Sequence, residues 1–354
     1  MLAANARRAC APLCAPDHRT MPPAISILLP AFDAATTLDA CLRSIVRQRE
    51  RDWECVLVDD GSTDDTLARA RAFARDEPRL VVVAAPHRGI VGALETGLAR
   101  CSGALVARMD ADDVMHRDRL RAQRRLLDDE PALAAVGCRV RLFPRAVLRD
   151  GRRAYERWLN AIATADHVRT EAYVECPVAH PALTIRRAVL ERHGYRDVGW
   201  PEDYDLLLRL LATGVAVASV PRRLVCWRDG AHRLSRRDPR YAQDRFTACK
   251  AAFLAGGALA TTDRYVLWGY GDTGRALHRA LVAHGKRPSH VVEVHPGRLG
   301  NVIHGAPVIA PAALADVAQR PIIVSVAGAA ARAQVRAAMA ALGLHELRDF
   351  ICAA

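Results

Sequence analysis

Long apolar runs are absent from the sequence. No stretch approaches the roughly 18 to 20 apolar residues that a membrane-spanning helix needs, and the N-terminal region lacks the continuous apolar segment of a signal peptide. We therefore expect a cytoplasmic protein. Residues 1–24 are expected to form a flexible leader, and Met21 offers an alternative start.

Cysteine pairs with the spacing of a metal site are also missing. The ten cysteines are scattered, without the paired pattern of a zinc site or the dense framework of a small secreted domain. The close pair Cys10 and Cys14 has no matching second pair, which argues against zinc. We expect most of the cysteines to be reduced residues of the core.

Aromatic residues are scarce, at 5% of the chain, while 51% of the residues are hydrophobic and 25% are charged. The charged fraction is ordinary for a soluble globular protein, and nothing in the composition favours disorder. Because 354 residues exceed the usual size of a single core, we expect two domains.

Positive charge is in excess, with a formal net charge of +12 that comes mainly from arginine. Such a charge attracts phosphates, on a diphosphate ligand, on an anionic membrane surface or on nucleic acid. No recognisable nucleic-acid motif accompanies it, so we expect no specific nucleic-acid partner. Peripheral association with the inner face of a membrane stays open, as does the alternative that the arginines reflect biased composition.

Short apolar strands alternate with helical stretches from residue 25 onward, which predicts an α/β domain on a largely parallel sheet. Two strands, at 25–29 and 54–58, flank a helix at about 35–49. In such sheets ligands bind at the carboxyl ends of the strands, and Asp59 and Asp60 follow the second strand directly. The predicted division is a first domain at 25–238, a helical linker at 239–262 and a smaller α/β domain at 263–354.

The richest acidic cluster, Asp110-Ala111-Asp112-Asp113, follows a predicted strand at 104–108. Carboxylates two residues apart at a strand end can converge on Mg²⁺ or Mn²⁺, which takes one or two protein carboxylates together with phosphate oxygens. A nucleoside diphosphate supplies such oxygens. Taken alone, the cluster favours a solvated turn or a helix cap over a metal site.

Four segments together resemble the inverting family 2 glycosyltransferases in order and spacing. They are ILLPAF at 27–32, VDDGSTD at 58–64, MDADD at 109–113 and PEDYDL at 201–206. The resemblance covers about residues 25–235. It implies a GT-A-type fold with a mixed, mainly parallel sheet, a nucleotide-sugar donor and a divalent metal ion.

The resemblance also implies roles for individual residues on the donor side. Asp59 would contact the base and Asp60 would support the nucleotide pocket, although a helix N-cap at Asp60 or Ser62 is the structural alternative. Arg88 would approach the donor unless it belongs to a solvated loop. Glu95 departs from the Asn that often occupies this position in the family. The remaining donor-side assignments are Pro30, Ala31 and Phe32 for the nucleotide-binding edge, Asp110 beside the ribose and diphosphate, Asp112 with Asp110 for the metal ion, and Asp113 for the turn or sugar pocket.

An inverting transfer needs a base that takes the proton of the acceptor hydroxyl, and the pair Glu202 and Asp203 is the candidate. Asp203 is assigned as the base, with Glu202 holding it or binding acceptor hydroxyls. The alternative for both is favourable charge in the first turn of a helix. His180 would line the acceptor site or be structural. The segment 227–235 resembles a closing loop, in which Arg228, His232 and Arg233 could meet diphosphate.

The smaller domain begins with a strand, the pattern G-x-G-x-x-G and a helix, a context that fits a phosphate-binding loop. The loop glycines are Gly269, Gly271 and Gly274, and Glu293 could take ribose hydroxyls. This region resembles the small Rossmann-like N-terminal domains of bacterial sugar acyltransferases. The resemblance implies a regulatory, nucleotide-binding or assembly role, the last including a homo-oligomer.

The leading hypothesis is a metal-dependent, inverting transferase that moves a sugar from a uridine diphosphate donor to a hydroxyl of a glycan or lipid-linked acceptor of a bacterial surface polysaccharide. The first alternative is an NAD-dependent nucleotide-sugar oxidoreductase or epimerase centred on the loop at Gly269. The sequence shows no Tyr-x-x-x-Lys catalytic pair in support of it. The second alternative is a non-catalytic binder of glycan or nucleotide.

Overall fold

Two β-sheets, one of eight strands and one of six, organise the chain. The structure is a computed structural model that describes residues 21–230 and 233–354. Most of the predicted leader, with Cys10 and Cys14, lies outside the described residues, as does His232. Among the helices of the described residues, none is long and apolar enough to cross a membrane.

The first sheet is mixed and mainly parallel, as predicted. Its strands are β1 (Ile25–Ala31), β2 (Trp53–Asp60), β3 (Leu80–Ala85), β4 (Leu105–Arg108), β5 (Val114–Met115), β6 (Leu133–Phe143), β7 (Thr184–Arg186) and β8 (Ala216–Arg228). They lie in the order β3-β2-β1-β4-β7-β6-β8-β5. Four neighbouring pairs are parallel and three are antiparallel.

Helices cover both faces of this sheet. They are α1 (Leu38–Val46), α2 (Thr66–Asp76), α3 (Gly89–Leu98), α4 (Arg119–Asp129), α5 (Asp150–Ala161), α6 (Ala165–Glu171), α7 (Arg187–His193), α8 (Glu202–Ala212), α9 (Leu234–Arg237) and α10 (Gln243–Gly256). Side chains alternate between the faces of a strand, so β1 supplies both cores. Leu28 packs with Leu94 of α3 and Leu206 of α8. Ile27 packs on the opposite face, with Leu42 of α1.

Three parallel strands bring their carboxyl ends to one edge of the sheet. β1 lies between β2 and β4, with Ala31 opposite Asp59 and Leu28 opposite Arg108. The chain leaves β4 into Asp110, while β2 ends at Asp60. The first two acidic clusters therefore follow strands whose ends are separated only by β1.

Residues 132–200, which show no clear strand pattern in the sequence, contain the long strand β6. It runs parallel to β8 over most of its length, with register shifts between Leu133 and Ala135 and again around Arg139. Because its partner begins more than 70 residues later in the chain, local sequence pattern does not reveal this pairing. The pairing carries the end of β8 toward the cluster at Asp110.

The second sheet belongs to residues 264–352 and is mainly parallel. Its strands are β9 (Arg264–Trp268), β10 (Arg287–Val292), β11 (Val302–Ile303), β12 (Ala306–Ile309), β13 (Ile322–Val324) and β14 (Phe350–Cys352), with helices α11 (Asp272–Val282) and α12 (Ala329–Ala341). The strand order is β11-β12-β10-β9-β13-β14. The order reverses beside β9, which is where ligands bind in open α/β sheets, and the glycine loop follows β9 directly.

Candidate active site

The turn after β2 is fixed by Asp60. One carboxylate oxygen, Oδ1, accepts the main-chain N–H of Arg88 at 2.9 Å, and Oδ2 lies 2.9 Å from Nδ1 of His87. Gly61 has a φ of +72°, and a Cβ there would come within 2.8 Å of the main-chain nitrogen of His87. Helix α2 begins later, at Thr66, with Asp65 as its N-cap residue. The helix-cap alternative for Asp60 and Ser62 is therefore excluded.

Asp59 is buried beside this turn and keeps one oxygen unused. Its Oδ2 accepts the N–H of Ser62 at 3.3 Å, whereas its Oδ1 is buried without a hydrogen-bond partner. Phe32 is 46% exposed and lies against the ring of His87, with the ring centres 4.3 Å apart. An unpaired carboxylate oxygen and an exposed aromatic ring are what a nucleotide base can use, the first as an acceptor and the second for stacking.

The donor-edge residues differ in accessibility. Pro30 and Ala31 are buried within β1, so their contribution to a nucleotide site is the shape of the strand end. Arg88 has an exposed side chain, while its main chain is held by Asp60. Glu95 lies on α3 and is exposed. Within this set, Arg88 is the residue whose exposed side chain carries the positive charge that a phosphate attracts.

Three carboxylates converge where β4 ends. One oxygen of each of Asp110, Asp112 and Asp113 lies within 4.8 Å of the other two. Side-chain oxygens of this kind are the ligands that Mg²⁺ and Mn²⁺ prefer. Asp113 also has a buried Oδ2 without a hydrogen-bond partner. The residues present therefore fit a hard divalent cation.

The carboxylates of this cluster are not equivalent. Burial and the charge of Asp110 raise the pKa of Asp112 to about 6. Burial also raises the pKa of Asp113, with Asp110 and Asp112 adding to the shift. Burial works in the same direction on Asp110, but its ion pair with the Arg108 guanidinium outweighs this and lowers its pKa. The repulsion concentrated on Asp112 is what a bound cation relieves.

Residue Arg228, at the end of β8, closes the cluster from the far side. Its main-chain N–H donates to Asp113 Oδ1 at 2.6 Å, and its Nε donates to the carbonyl of Asp112 at 2.8 Å. Asp113 is thus committed to the turn and Asp110 to Arg108, whereas Asp112 forms no ion pair with the residues that the structure describes. Arg233 lies over the ring of Trp227, 4.5 Å from its centre, and its charge acts on all three aspartates.

The pair Glu202 and Asp203 opens α8. Glu202 is 3% exposed, and its two oxygens are held separately. Oε2 accepts the hydroxyl of Tyr241 at 2.6 Å, and Oε1 lies 3.6 Å from Nδ1 of His180. The other ring nitrogen of His180 lies 3.1 Å from the hydroxyl of Tyr195. Glu202 and His180 thus belong to a buried network with Tyr241 and Tyr195. A carboxylate that served only as charge in the first turn of a helix would not need these partners.

Asp203 differs from its neighbour because it has fewer partners. Its Oδ1 accepts the N–H of Tyr204 at 2.8 Å. The carboxylate lines a cavity of about 10 Å³, room for about one water, together with Cys176, Val178 and Leu183. Burial and the charge of Glu202 raise the pKa of Asp203 to about 6, whereas the partners of Glu202 lower the pKa of that group despite its burial.

Arg108 and His180 connect the two acidic groups. Arg108 is 4% exposed; burial works to lower its pKa, but the charges of Asp110, Tyr195 and Glu202 raise it. His180 acts in turn on Asp110 and on Asp203. The cluster at Asp110 and the pair at Glu202 therefore lie within mutual electrostatic range, around one shared arginine and one shared histidine.

Several known proteins are similar to this chain. The family described as "Glycosyl transferase family 2" matches residues 26–194. An uncharacterized glycosyltransferase of Haemophilus influenzae is 32% identical over 202 residues, which are 56% of this chain and 73% of the relative. The chain belongs to glycosyltransferase family 2. The amylovoran biosynthesis glycosyltransferase AmsE of Erwinia amylovora is 29% identical over the same shares of the two chains, again across 202 residues.

Solved structures show that this glycosyltransferase has the predicted GT-A-type fold. Residues 1–349 of S. aureus TarS, solved with UDP-GlcNAc, align with a TM-score of 0.53 at 15% identity, over 73% of this chain and 72% of that one. The mannosyltransferase PcManGT of Pyrobaculum calidifontis, solved with GDP-Man and Mn²⁺, aligns with a TM-score of 0.50 at 22% identity, over 92% and 82%.

Three residues of the glycosyltransferase site were missed from sequence. Arg108 gave a usable signal, since a charged residue at the end of an apolar strand just before an Asp cluster is unlike its neighbours. Tyr195 and Tyr241 gave none, because they lie in an irregular stretch and in the predicted linker. Both are now placed beside His180 and Glu202 by hydrogen bonds.

The glycine loop of the glycosyltransferase lies in the second sheet, apart from these acidic groups in the chain. Gly269 has a φ of +94°, and a Cβ at Gly274 would come within 2.1 Å of its carbonyl oxygen, so both positions require glycine. A Cβ at Gly271 would meet nothing within 4 Å. Glu293 accepts the N–H of Tyr270 at 2.9 Å and pairs with Arg298 at 2.8 Å. Its carboxylate thus holds the loop.

Proposed function

We propose that this glycosyltransferase moves a sugar from a uridine diphosphate donor to a hydroxyl of a glycan or lipid-linked acceptor, with inversion at the anomeric carbon, in the synthesis of a bacterial surface polysaccharide. The proposal depends chiefly on one observation: Asp110, Asp112 and Asp113 converge at the end of β4, and the buried Arg108 that pairs with Asp110 also lies within electrostatic range of Glu202 and Asp203. Such an arrangement sets a cation site against a general base.

Asp112 and Asp110 are proposed to hold a divalent cation, Mn²⁺ or Mg²⁺. Asp112 is the better ligand because one oxygen of Asp110, Oδ1, already pairs with Arg108. When bound, the cation neutralises negative charge that develops on the departing diphosphate. Arg233 and Arg228 face the same cluster and add positive charge where the phosphates lie.

Asp203 is proposed to act as the general base. It takes the proton of the acceptor hydroxyl as the new bond forms between that oxygen and the anomeric carbon. The bond from the anomeric carbon to the diphosphate breaks at the same time, and the nucleoside diphosphate leaves with the electron pair. Glu202 stays charged, because Tyr241 and His180 stabilise its carboxylate, and its charge favours the proton on Asp203.

The donor nucleotide is proposed to bind at the ends of β1 and β2. Asp59 Oδ1 would accept an N–H of the base, with Phe32 stacking on it and Asp60 fixing the turn. Pro30 and Ala31 shape this edge, and Arg88 reaches the phosphates. The structure of TarS with UDP-GlcNAc supports a uridine donor, while PcManGT was solved with GDP-Man, so both nucleotides belong in the test. The name of AmsE, an amylovoran biosynthesis enzyme, supports a polysaccharide product.

Thermal denaturation with nucleotides tests the proposal. We expect UDP with Mn²⁺ to raise the melting temperature clearly, since a ligand at 100 times its Kd stabilises the folded state by about 2.7 kcal/mol. UDP without the metal ion should stabilise less. If GDP with Mn²⁺ stabilised the protein and UDP with Mn²⁺ did not, the donor would be a guanosine diphosphate sugar. If only NAD stabilised it, the oxidoreductase alternative would be favoured.

Activity should depend on pH through Asp203. A base works only when deprotonated, and the pKa of Asp203 is raised to about 6, so kcat should fall about tenfold per pH unit below about pH 6 and be constant above it. Saturating donor and Mn²⁺ are needed, because Asp112 also titrates near 6 and would otherwise weaken metal binding over the same range. A kcat that is flat down to about pH 5 would contradict the assignment of Asp203.

The second domain is proposed to bind a nucleotide phosphate at its glycine loop. The support is local: a Cβ at Gly271 would meet nothing within 4 Å, and the hydroxyl of Ser325 is buried without a partner where β13 ends. Glu293 holds the loop, so its role with ribose would be secondary. The likeness to sugar acyltransferase domains, a homo-oligomer and peripheral membrane association stay predictions.

A further inference from the structure

Helix α10 belongs to the cores of both domains. In its first half Phe246 packs against Tyr204, with the ring centres 5.7 Å apart, and Cys249 is fully buried in the core of the first domain. In its second half Ala251 and Leu254 are fully buried in the core of the second domain. A helix that is buried on both sides transmits position between the elements it contacts.

Lys250, in the middle of α10, joins three separate segments. Its side chain is 7% exposed, and its Nζ donates to the carbonyl of Val174 at 2.7 Å and to that of Ala353 at 3.2 Å. Val174 follows α6 in the first domain, and Ala353 follows β14 in the second. Because a buried ammonium needs its hydrogen bonds, this side chain holds the two main chains at a fixed separation.

A second contact holds the same region of the first domain. Glu171, at the end of α6, is 3% exposed and accepts hydrogen bonds from Trp158 Nε1 and from Arg336 of α12, each at 2.7 Å. Arg336 is itself held by both oxygens of Glu346, at 2.9 Å. The segment 171–174 is therefore held in two ways. Lys250 of α10 links Val174 to Ala353 of the second domain, and Arg336 of the second domain binds Glu171.

The segment 171–174 and helix α10 are each followed or preceded by a residue that contacts Glu202. The segment 171–174 continues to His180, which lies 3.6 Å from Glu202, and the hydroxyl of Tyr204 donates to the carbonyl of Ala172 at 2.7 Å. Helix α10 is preceded directly by the 3-10 turn Pro239–Tyr241, which supplies the 2.6 Å hydrogen bond to the other oxygen of Glu202. Each oxygen of Glu202 is thus held by an element that the second domain fixes.

We propose that the second domain is a brace that positions the Glu202 and Asp203 pair for proton transfer, with Tyr241 as the positioning residue at its end. The inference rests on the proposed function and adds a role for the second domain in it. Its physical reason is that a misplacement of about 1 Å at a reacting centre can lower a rate by about a hundredfold. Donor binding is unaffected, because the ends of β1, β2 and β4 do not depend on these contacts.

Tyr241→Phe removes one hydroxyl and tests the end of the brace. A hydrogen bond to a charged group is worth enough that kcat for transfer should fall about tenfold or more. The KM for the donor and the affinity for UDP with Mn²⁺ should not change. The control is Tyr265→Phe, which removes a hydroxyl that lies 3.4 Å from Nδ1 of His278, within the region of the second sheet, and should keep the kcat of the parent protein.

Lys250→Met tests the link to the second domain, because Lys250 contacts neither Glu202 nor Asp203. We expect kcat to fall in the same direction as in Tyr241→Phe, with the affinity for UDP unchanged. Its control is Lys286→Met. Lys286 also donates to two carbonyls, those of Leu259 and Thr262, but both acceptors follow α10 and neither belongs to the first domain. If Lys250→Met does not fold, Arg336→Met takes its place.

The outcomes separate this inference from the proposed function. An unchanged kcat in Tyr241→Phe, or in a folded Lys250→Met or Arg336→Met, overturns the brace while leaving Asp203 as the base. A loss of UDP affinity equal to the loss of kcat also overturns it, since the effect would then be general damage. If Asp203→Asn itself keeps full activity, Asp203 is not the base. The proposed function is then contradicted, whatever the other variants show.

Discussion

Asp203→Asn is expected to lower kcat by about a thousandfold, within the range that a general base contributes. The amide cannot accept the proton of the acceptor hydroxyl at neutral pH, whereas the shape of the side chain is kept. The donor KM should stay near that of the parent protein, because Asp203 lines a cavity with Cys176, Val178 and Leu183 and is not part of the proposed donor edge at the ends of β1 and β2. The measurement is steady-state transfer with varied donor concentration.

The control for Asp203→Asn is Asp166→Asn. Asp166 also lies in the first turn of a helix, α6, and is exposed, so its replacement removes helix-terminal charge without approaching the site. Transfer by Asp166→Asn should match the parent protein. If Asp203→Asn kept more than about a tenth of the parent kcat, its carboxylate would be a structural group and the base would have to be sought elsewhere.

Asp112→Asn is expected to lower kcat/KM by at least about a hundredfold, because stabilisation by a metal ion is worth several kcal/mol and its best ligand is lost. The loss should be smaller at high Mn²⁺ concentration, since Asp110 and the donor diphosphate remain as ligands. The measurement is activity against Mn²⁺ concentration, in which the midpoint should move to higher concentration by about tenfold or more.

Asp128→Asn is the charge-matched control for Asp112→Asn. Its carboxylate lies on the exposed side of α4 and is 63% exposed, 3.7 Å from Arg124. This variant should leave the Mn²⁺ dependence as it is. Equal Mn²⁺ midpoints in Asp112→Asn and the parent protein would contradict the placement of the cation on Asp112.

The parts of the site that the sequence revealed are those governed by local rules. Asp59 and Asp60 end β2 and Asp110 follows β4, and parallel strands bring their carboxyl ends to one edge. The pair Glu202 and Asp203 opens the amphipathic helix α8, for which Pro201 is the N-cap residue. Each of these positions is fixed by residues within one turn or one strand of it.

Contacts between distant segments could not be predicted in the same way. Strand β8 pairs with β6 across an interval that has no sequence signature, yet this pairing delivers Arg228 to Asp112 and Asp113. The charge of Arg108 is visible in the sequence, but its role depends on Asp110 and Glu202 together, which lie far apart in the chain. The hydroxyl of Tyr241 reaches Glu202 only because the chain turns back after α9.

Helix α10 shows a further limit of sequence patterns. It was predicted as a helical connector and is helical, but its two halves are buried in two different hydrophobic cores, so no single apolar stripe marks it as a core element. Lysine is rarely buried unless its charge finds partners. Lys250 is buried because the main-chain carbonyls of Val174 and Ala353 accept its hydrogen bonds.

The central claim is that Asp112 holds a cation and Asp203 acts as the base in one site. Its most direct test is calorimetric titration of UDP, at saturating Mn²⁺, into the parent protein, Asp112→Asn and Asp203→Asn. The expected result is the same Kd for Asp203→Asn as for the parent protein, and a Kd at least about tenfold weaker for Asp112→Asn. If Asp112→Asn bound UDP as the parent protein does, or if Asp203→Asn lost binding to the same extent, the division between cation ligand and base would be contradicted.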